Sequence, residues 1–220
     1  MLSKKATYYL ILFYSFWLYF FYLMLEITLK YIPIKSDAAF LQIKQDEVTE
    51  IKPYLTIFYI HVYSAIFVLL FGVFQFNSYV LKKYKNIHKI FGKLYFYILI
   101  LFAAPSGIFI GYYANGGISS QISFILLGIL WLYFTIKAII FIKSKNIIQH
   151  KNYMMRSYAL TVSAITLRFW KVIIIFLFQP QPMDVYQIVA WLGWLPNLFF
   201  VEYLIRKKRI FTAQNFNNEK

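Results

Sequence analysis

The sequence predicts an all-α membrane bundle of six transmembrane helices with both termini in the cytoplasm, and three observations carry that prediction. The first is composition: 61% of residues are hydrophobic, 22% are aromatic, and the mean hydropathy is +0.60, well outside the range of soluble domains. The second is a series of apolar runs, each near the ~20 residues needed to cross ~30 Å of hydrocarbon as a helix. They fall at about 7–29, 54–77, 92–113, 122–142, 157–179 and 185–205. The third is that clusters of Lys and Arg lie at alternate ends of successive runs, which sets orientation because basic loops stay on the cytoplasmic side.

The run at 7–29 follows Lys4 and Lys5. It is too long for the apolar region of a signal peptide and lacks a small-residue cleavage site, so it reads as a retained span. Residues 30–53 form the one long connection, mixing Asp37, Asp46, Glu47 and Glu50 with four lysines, the pattern of an external hairpin or small cap. Lys82, Lys83, Lys85, Lys89 and Lys93 separate the second and third runs; Lys143, Lys145, Lys151 and Arg156 separate the fourth and fifth; Arg206, Lys207, Lys208 and Arg209 follow the sixth. The opposite turns, YANGGISSQ and QPQPMD, carry no basic residue. The polar stretch 211–220 reads as a flexible cytoplasmic tail, and 1–220 as a single membrane domain.

The net charge of +15 does not imply a nucleic-acid partner, because its residues are split into short clusters and form no continuous stripe. The partner this distribution implies is the lipid bilayer. The absence of cysteine removes disulfides, thiolate zinc sites and iron–sulfur clusters from this chain's chemistry. No catalytic triad, phosphate loop or HExxH element is present.

Polar residues inside the runs are the functional candidates, since ionisable groups at membrane depth need partners or water. In the fifth run Ser157, Thr161, Ala164, Arg168 and Lys171 share a helical face. In the second, His61, Ser64, Val68, Gly72 and Gln75 do the same, and the two faces are expected to meet. Ala103, Gly107 and Gly111 at four-residue spacing suit close helix packing. Depth counted at ~1.5 Å per residue sorts the polar groups into an outer layer of His61, Ser106 and Arg168 and an inner layer of Gln75, His88, His150, Arg156 and Glu202. Glu202 is the expected partner of Arg156.

Several of these residues stand in recognisable elements. They are His61 with Gly72, Gln75 and Phe76; His88, Lys89, Gly92, Lys93 and Tyr95; His150 with Met154, Arg156, Ser157, Tyr158, Ala159, Leu160 and Thr161, then Leu167 and Arg168; and Trp191, Trp194, Pro196, Asn197 and Glu202. In these elements the chain resembles the uncharacterised bacterial integral membrane proteins grouped as domain-of-unknown-function family 2306. The resemblance implies a bacterial cytoplasmic (inner) membrane location and brings no activity with it. Lys89 and Lys93 stand where the family pattern has arginine, and Tyr153 where it has tryptophan. The lysines replace a planar fork with a point charge.

Four functions use these residues. A b-type haem, exchanging electrons with a quinone or another redox partner, takes His88 and His150 as axial ligands, Gly92 as clearance for the porphyrin edge, and Arg156 for the propionates. A permease for a small solute or anion uses the polar faces and Arg168, with Pro196 freeing a backbone carbonyl in the sixth run. A metal site rests on His88 and His150, completed by Met154, Met155 or Glu202. A scaffold or assembly subunit uses the same groups for packing alone. Asn197 belongs to the polar candidates in each case.

Overall fold

The computed structural model describes residues 4–218, and every regular element among them is helical. In order these are α1 (Lys4–Leu29), a 3-10 turn (Ala39–Ile43), α2 (Gln45–Glu50), α3 (Tyr54–Phe74), α4 (Ser78–Lys83), α5 (Lys85–Ile98), a π-helical segment (Leu99–Ala103), α6 (Ala104–Tyr112), α7 (Gly117–Lys143), α8 (Ile147–Thr161), α9 (Ser163–Phe178), α10 (Pro182–Leu192) and α11 (Leu195–Asn218). Among the described residues four helical stretches are long and apolar enough to cross a membrane: Tyr54–Phe74, Lys85–Tyr112, Gly117–Lys143 and Pro182–Lys207. The pair α8 and α9, bent by 41°, makes a fifth if it counts as one span. The apolar part of α1, Tyr14–Leu29, is shorter than these. The tail stretch 211–220 is helical as far as Asn218; its last two residues lie outside the described ones.

Three of the long stretches are interrupted, and each interruption has a local cause. Pro105 has no N–H for the carbonyl of Leu101, and its ring crowds that turn. The ladder widens just before it, so that the N–H of Ala104 reaches back to Leu99. The break at Val162, between α8 and α9, contains neither Pro nor Gly; here Thr161 and Thr166 turn their hydroxyls onto the carbonyls of Ser157 and Val162, four residues back, a competition with the ladder that bends helices. The break between α10 and α11 falls at Gly193 and Trp194, just before Pro196. A tighter reversal joins α6 to α7, where Gly116 and Gly117 both take positive φ, 85° and 72°, a backbone region that side chains with a Cβ strongly disfavour.

The main core holds Val68, Tyr95, Leu99, Trp131, Leu160 and Trp194 between α3, α5, α7, α8 and α10–α11. α1 packs on the flank, where Trp17 meets Ile66, Leu69 and Val73. Residues 30–53 fold into a cap over one end of the bundle, with Tyr31 and Leu41 packed on Tyr54, Phe58 and Tyr59. Lys44 is buried within this cap. Its ammonium is 2.5 Å from the Glu47 carboxylate and also donates to the carbonyl of Tyr113. The opposite end carries Lys83, Lys85, Lys89, Lys143, Lys145 and Lys151, all exposed, and is called the basic end below.

Candidate functional site

Three polar tiers are stacked along the bundle. At the cap end, the Nδ1–H of His61 on α3 donates to the carbonyl of Ala103 at 3.0 Å, and the Ser106 hydroxyl lies 3.4 Å from the same nitrogen. Ser106 donates to the carbonyls of Phe102 and Ala103. With that proton on Nδ1, the Nε2 of His61 presents a lone pair. Gly107 makes room for the ring: a Cβ there would stand 2.9 Å from His61 Cε1. The π-helical segment thus supplies the carbonyl that His61 grips, and its placement beside a buried polar group is where such bulges tend to occur.

Arg168 on α9 belongs to the same tier, interacting electrostatically with His61, Tyr31 and Tyr186. Its guanidinium donates one hydrogen bond, from Nη1 to its own helix at the Ala164 carbonyl, 2.7 Å away. No carboxylate pairs with it among the described residues, whose ion pairs include Lys30 with Glu26, Lys44 with Glu47, and Arg156 with Glu202. Its remaining N–H groups are not sealed in the interior. Above it, burial raises the Tyr31 phenol over the ordinary range, while the N–H of Phe40 and the Arg168 charge pull the other way. The Tyr31 oxygen accepts from Phe40 at 3.3 Å, so its own proton is available to a further acceptor.

The middle tier is a closed hydroxyl network. Tyr95 Oη is 2.6 Å from Ser157 Oγ and 2.9 Å from Thr161 Oγ1; Ser157 is 2.7 Å from Thr135, and Trp131 donates to Thr161 at 3.0 Å. Beside it the amide nitrogen of Asn197 reaches the carbonyls of Ala159 and Gly193, each at 3.2 Å, and Thr166 Oγ1 at 2.9 Å. Thr166 also donates to the Gly193 carbonyl. Asn197 therefore spans both helix breaks.

At the basic end Gln75 donates to the His88 carbonyl at 3.4 Å, and His88 interacts electrostatically with His150. The Nδ1–H of His150 donates to Ala138 at 2.8 Å, leaving Nε2 as the lone-pair nitrogen, whereas His88 Nδ1 is buried without a partner. Arg156 grips Glu202 through both Nε and Nη2, the latter at 3.0 Å, and lies over the Tyr153 ring at 4.8 Å.

His61 lies beside Ser106 and interacts with Arg168, and Gln75, His88 and His150 are neighbours, whereas Arg156 and Glu202, expected in the same layer as those three, make their contacts with each other and with the Tyr153 ring. Arg156 and Glu202 form the expected pair. One expectation needs revision: Ser157 and Thr161 hydrogen-bond not to α3 but to Tyr95 on α5 and Thr135 and Trp131 on α7, and Lys171 is exposed. The break at Val162 divides the face that a straight helix would have kept in line. The open side of Gly92 faces the Gln75 side chain, whose Oε1 would stand 3.0 Å from a Cβ there. Among the described residues no three of His, Asp and Glu converge to hold a metal ion. A groove of about 550 Å³ lies elsewhere, on the outer surface of α3 and the π-helical segment between Tyr59, Tyr63, Phe67 and Phe102. Nothing in the sequence marks Tyr95, Thr135 and Trp131 as polar partners, because aromatic and threonine residues in an apolar run look like packing. Pro105 was the available signal for the π-helical segment.

Residues 58–205, about two thirds of the chain, match the family described as predicted membrane protein (DUF2306). The chain belongs to this family. The DUF2306 region takes in every residue of the three tiers except Tyr31 and Phe40, so the cap is the part of the site contributed from outside it. No curated protein and no solved structure matches the chain.

Proposed function

We propose that this DUF2306 protein is a six-span protein of the bacterial cytoplasmic membrane, with both termini and the basic end inside and the cap outside, that binds and passes a small anion at Arg168. One observation carries the reading: a guanidinium within the bundle whose hydrogen bonding is confined to one carbonyl of its own helix and whose charge meets no carboxylate among the described residues. Ionisable groups at such depth mark ligand sites when they are left unpaired. The surroundings suit an anion, since the Tyr31 hydroxyl is a free donor and the α8–α9 and α10–α11 breaks resemble the discontinuous helices from which transporters build their sites. A planar oxyanion fits the guanidinium fork in two parallel hydrogen bonds.

The test is anion flux into proteoliposomes together with anion binding to detergent-purified protein. Arg168→Met is expected to abolish both, and Arg168→Lys to weaken binding by removing the fork while keeping the charge. Flux that is unchanged in Arg168→Met defeats the reading. Because the chain has no cysteine, single cysteines placed at residue 3, in the cap and at residue 215 report sidedness by impermeant labelling; labelling of residue 3 or 215 from outside defeats the proposed orientation.

A second reading, haem b or another redox role with a quinone partner, draws on the nearness of His88 to His150, close enough for their charges to repel. The Gln75 side chain stands beside Gly92 and the Glu202 carboxylate is on Arg156, the two residues such a haem would take for clearance and for its propionates. An absorption spectrum after expression with haem supply decides it: a Soret band lost in both His88→Ala and His150→Ala favours haem over the anion reading.

A further inference from the structure

The inference rests on the anion reading of Arg168 and concerns what travels with the anion. We infer that His61 is the proton-coupling group of the site, taking up one proton at Nε2 when an anion occupies Arg168, so that anion and proton are bound together. His61 is held for this. Its Nδ1–H is committed to the Ala103 carbonyl, Ser106 has spent its own hydrogen on carbonyls, and Gly107 lets the ring lie against α6. The remaining nitrogen has a lone pair and no partner among the described residues.

The charges facing the ring decide the coupling. From α9 comes Arg168, a like charge to the imidazolium. From α6 and the π-helical segment come Ser106, Gly107 and a carbonyl, none ionisable. The other elements against α3 contribute no carboxylate to the ring: Glu26 on α1 pairs with Lys30, Glu47 on α2 with Lys44, and Asp46 and Glu50 of α2 are exposed. Tyr95 of α5 is occupied by Ser157 and Thr161, Arg156 of α8 by Glu202, and His150 of α8 lies at the basic end. Tyr31 and Tyr186 face Arg168. With the site empty, Arg168 repels a second positive charge on His61. An anion cancels that repulsion, and the imidazole gains a proton from the water side. No bond other than N–H forms and nothing is oxidised; the proton leaves with the anion. Linkage then requires the reverse effect, that protonation tightens anion binding by the same factor.

The experiment is calorimetric titration of the full-length protein with nitrate and with methanesulfonate, neither of which titrates between about pH 5 and about pH 8. Buffers of different ionisation enthalpy give the protons taken up per anion. Uptake approaching one proton is expected, with affinity rising up to about tenfold per pH unit of acidification across the histidine range. His61→Gln is expected to bind with an affinity flat in pH, while His88→Gln and His150→Gln keep the slope. Binding without proton uptake in the wild-type protein overturns the coupling and leaves the anion reading standing. A slope that survives in His61→Gln, or vanishes in His88→Gln or His150→Gln, overturns the assignment to His61. No binding of either probe at any pH overturns both. The wild-type proton count needs no variant to fold.

Discussion

Replacing Asn197 by Leu, which keeps most of the volume and deletes the amide, tests how the two helix breaks are held together. The Asn197 nitrogen serves three acceptors, Ala159 O, Gly193 O and Thr166 Oγ1, at 3.2, 3.2 and 2.9 Å. With two N–H groups it makes at most two full-strength bonds. Interhelical hydrogen bonds in membrane proteins average about 0.6 kcal/mol and reach about 1.7 kcal/mol, so two contribute roughly 1–3 kcal/mol. The Gly193 carbonyl retains the Thr166 hydroxyl, whereas the carbonyl of Ala159 loses this donor, so the expected cost lies in the upper part of that range. Thr166→Val removes the shared hydroxyl, and because the two residues meet through it the double variant is expected to show a coupling of about 0.5–1 kcal/mol. Equilibrium unfolding in mixed micelles of increasing denaturing detergent, followed by tryptophan fluorescence, measures all four species. Additivity within about 0.3 kcal/mol, or an Asn197→Leu cost below about 0.5 kcal/mol, refutes the claim that this amide joins α8, α9 and the α10–α11 break.

Three further outcomes follow from the same kind of reasoning. Gly72→Ala puts a Cβ 2.5 Å from the Tyr158 ring and 2.9 Å from the Tyr95 ring; the overpacking costs about 1–3 kcal/mol in the same unfolding assay, and a neutral result places those rings elsewhere. Lys44→Met leaves the Glu47 carboxylate and the Tyr113 carbonyl without their cation. It is expected to raise the rate of limited proteolysis within residues 30–53 by about tenfold or more, since losing about 1.4 kcal/mol of local stability raises an open population tenfold. Glu202→Gln strands Arg156, which keeps its place over the Tyr153 ring. The pair is partly exposed, so the expected cost is about 1–2 kcal/mol rather than the 3–5 kcal/mol roughly typical of a fully buried pair, and Arg156→Met with Glu202→Leu should recover most of it.

Membrane residence and the helical class were legible in the sequence, because hydrocarbon imposes one length and one backbone solution on any chain that crosses it. The composition of the polar layers was legible for a related reason: His61, Ser106 and Arg168, or His88, His150 and Gln75, are rare within or beside apolar runs, and helical rise alone gives their depth. The Arg156–Glu202 pair followed from depth and sign. Rise does not give rotation, however. Ser157 and Thr161 bond to residues of α5 and α7, while Arg168, beyond the break at Val162, interacts with His61 of α3, and that break comes from hydroxyl back-bonding with no Pro or Gly to announce it. The approach of Gln75 to Gly92 likewise depended on contacts between helices distant in sequence. The residues that bear charge at each depth were determined by the sequence alone; which of them are already paired, and that Arg168 lacks a carboxylate where Arg156 has one, was decided by the tertiary packing, because partnership is a matter of rotation and approach that no one-dimensional spacing carries.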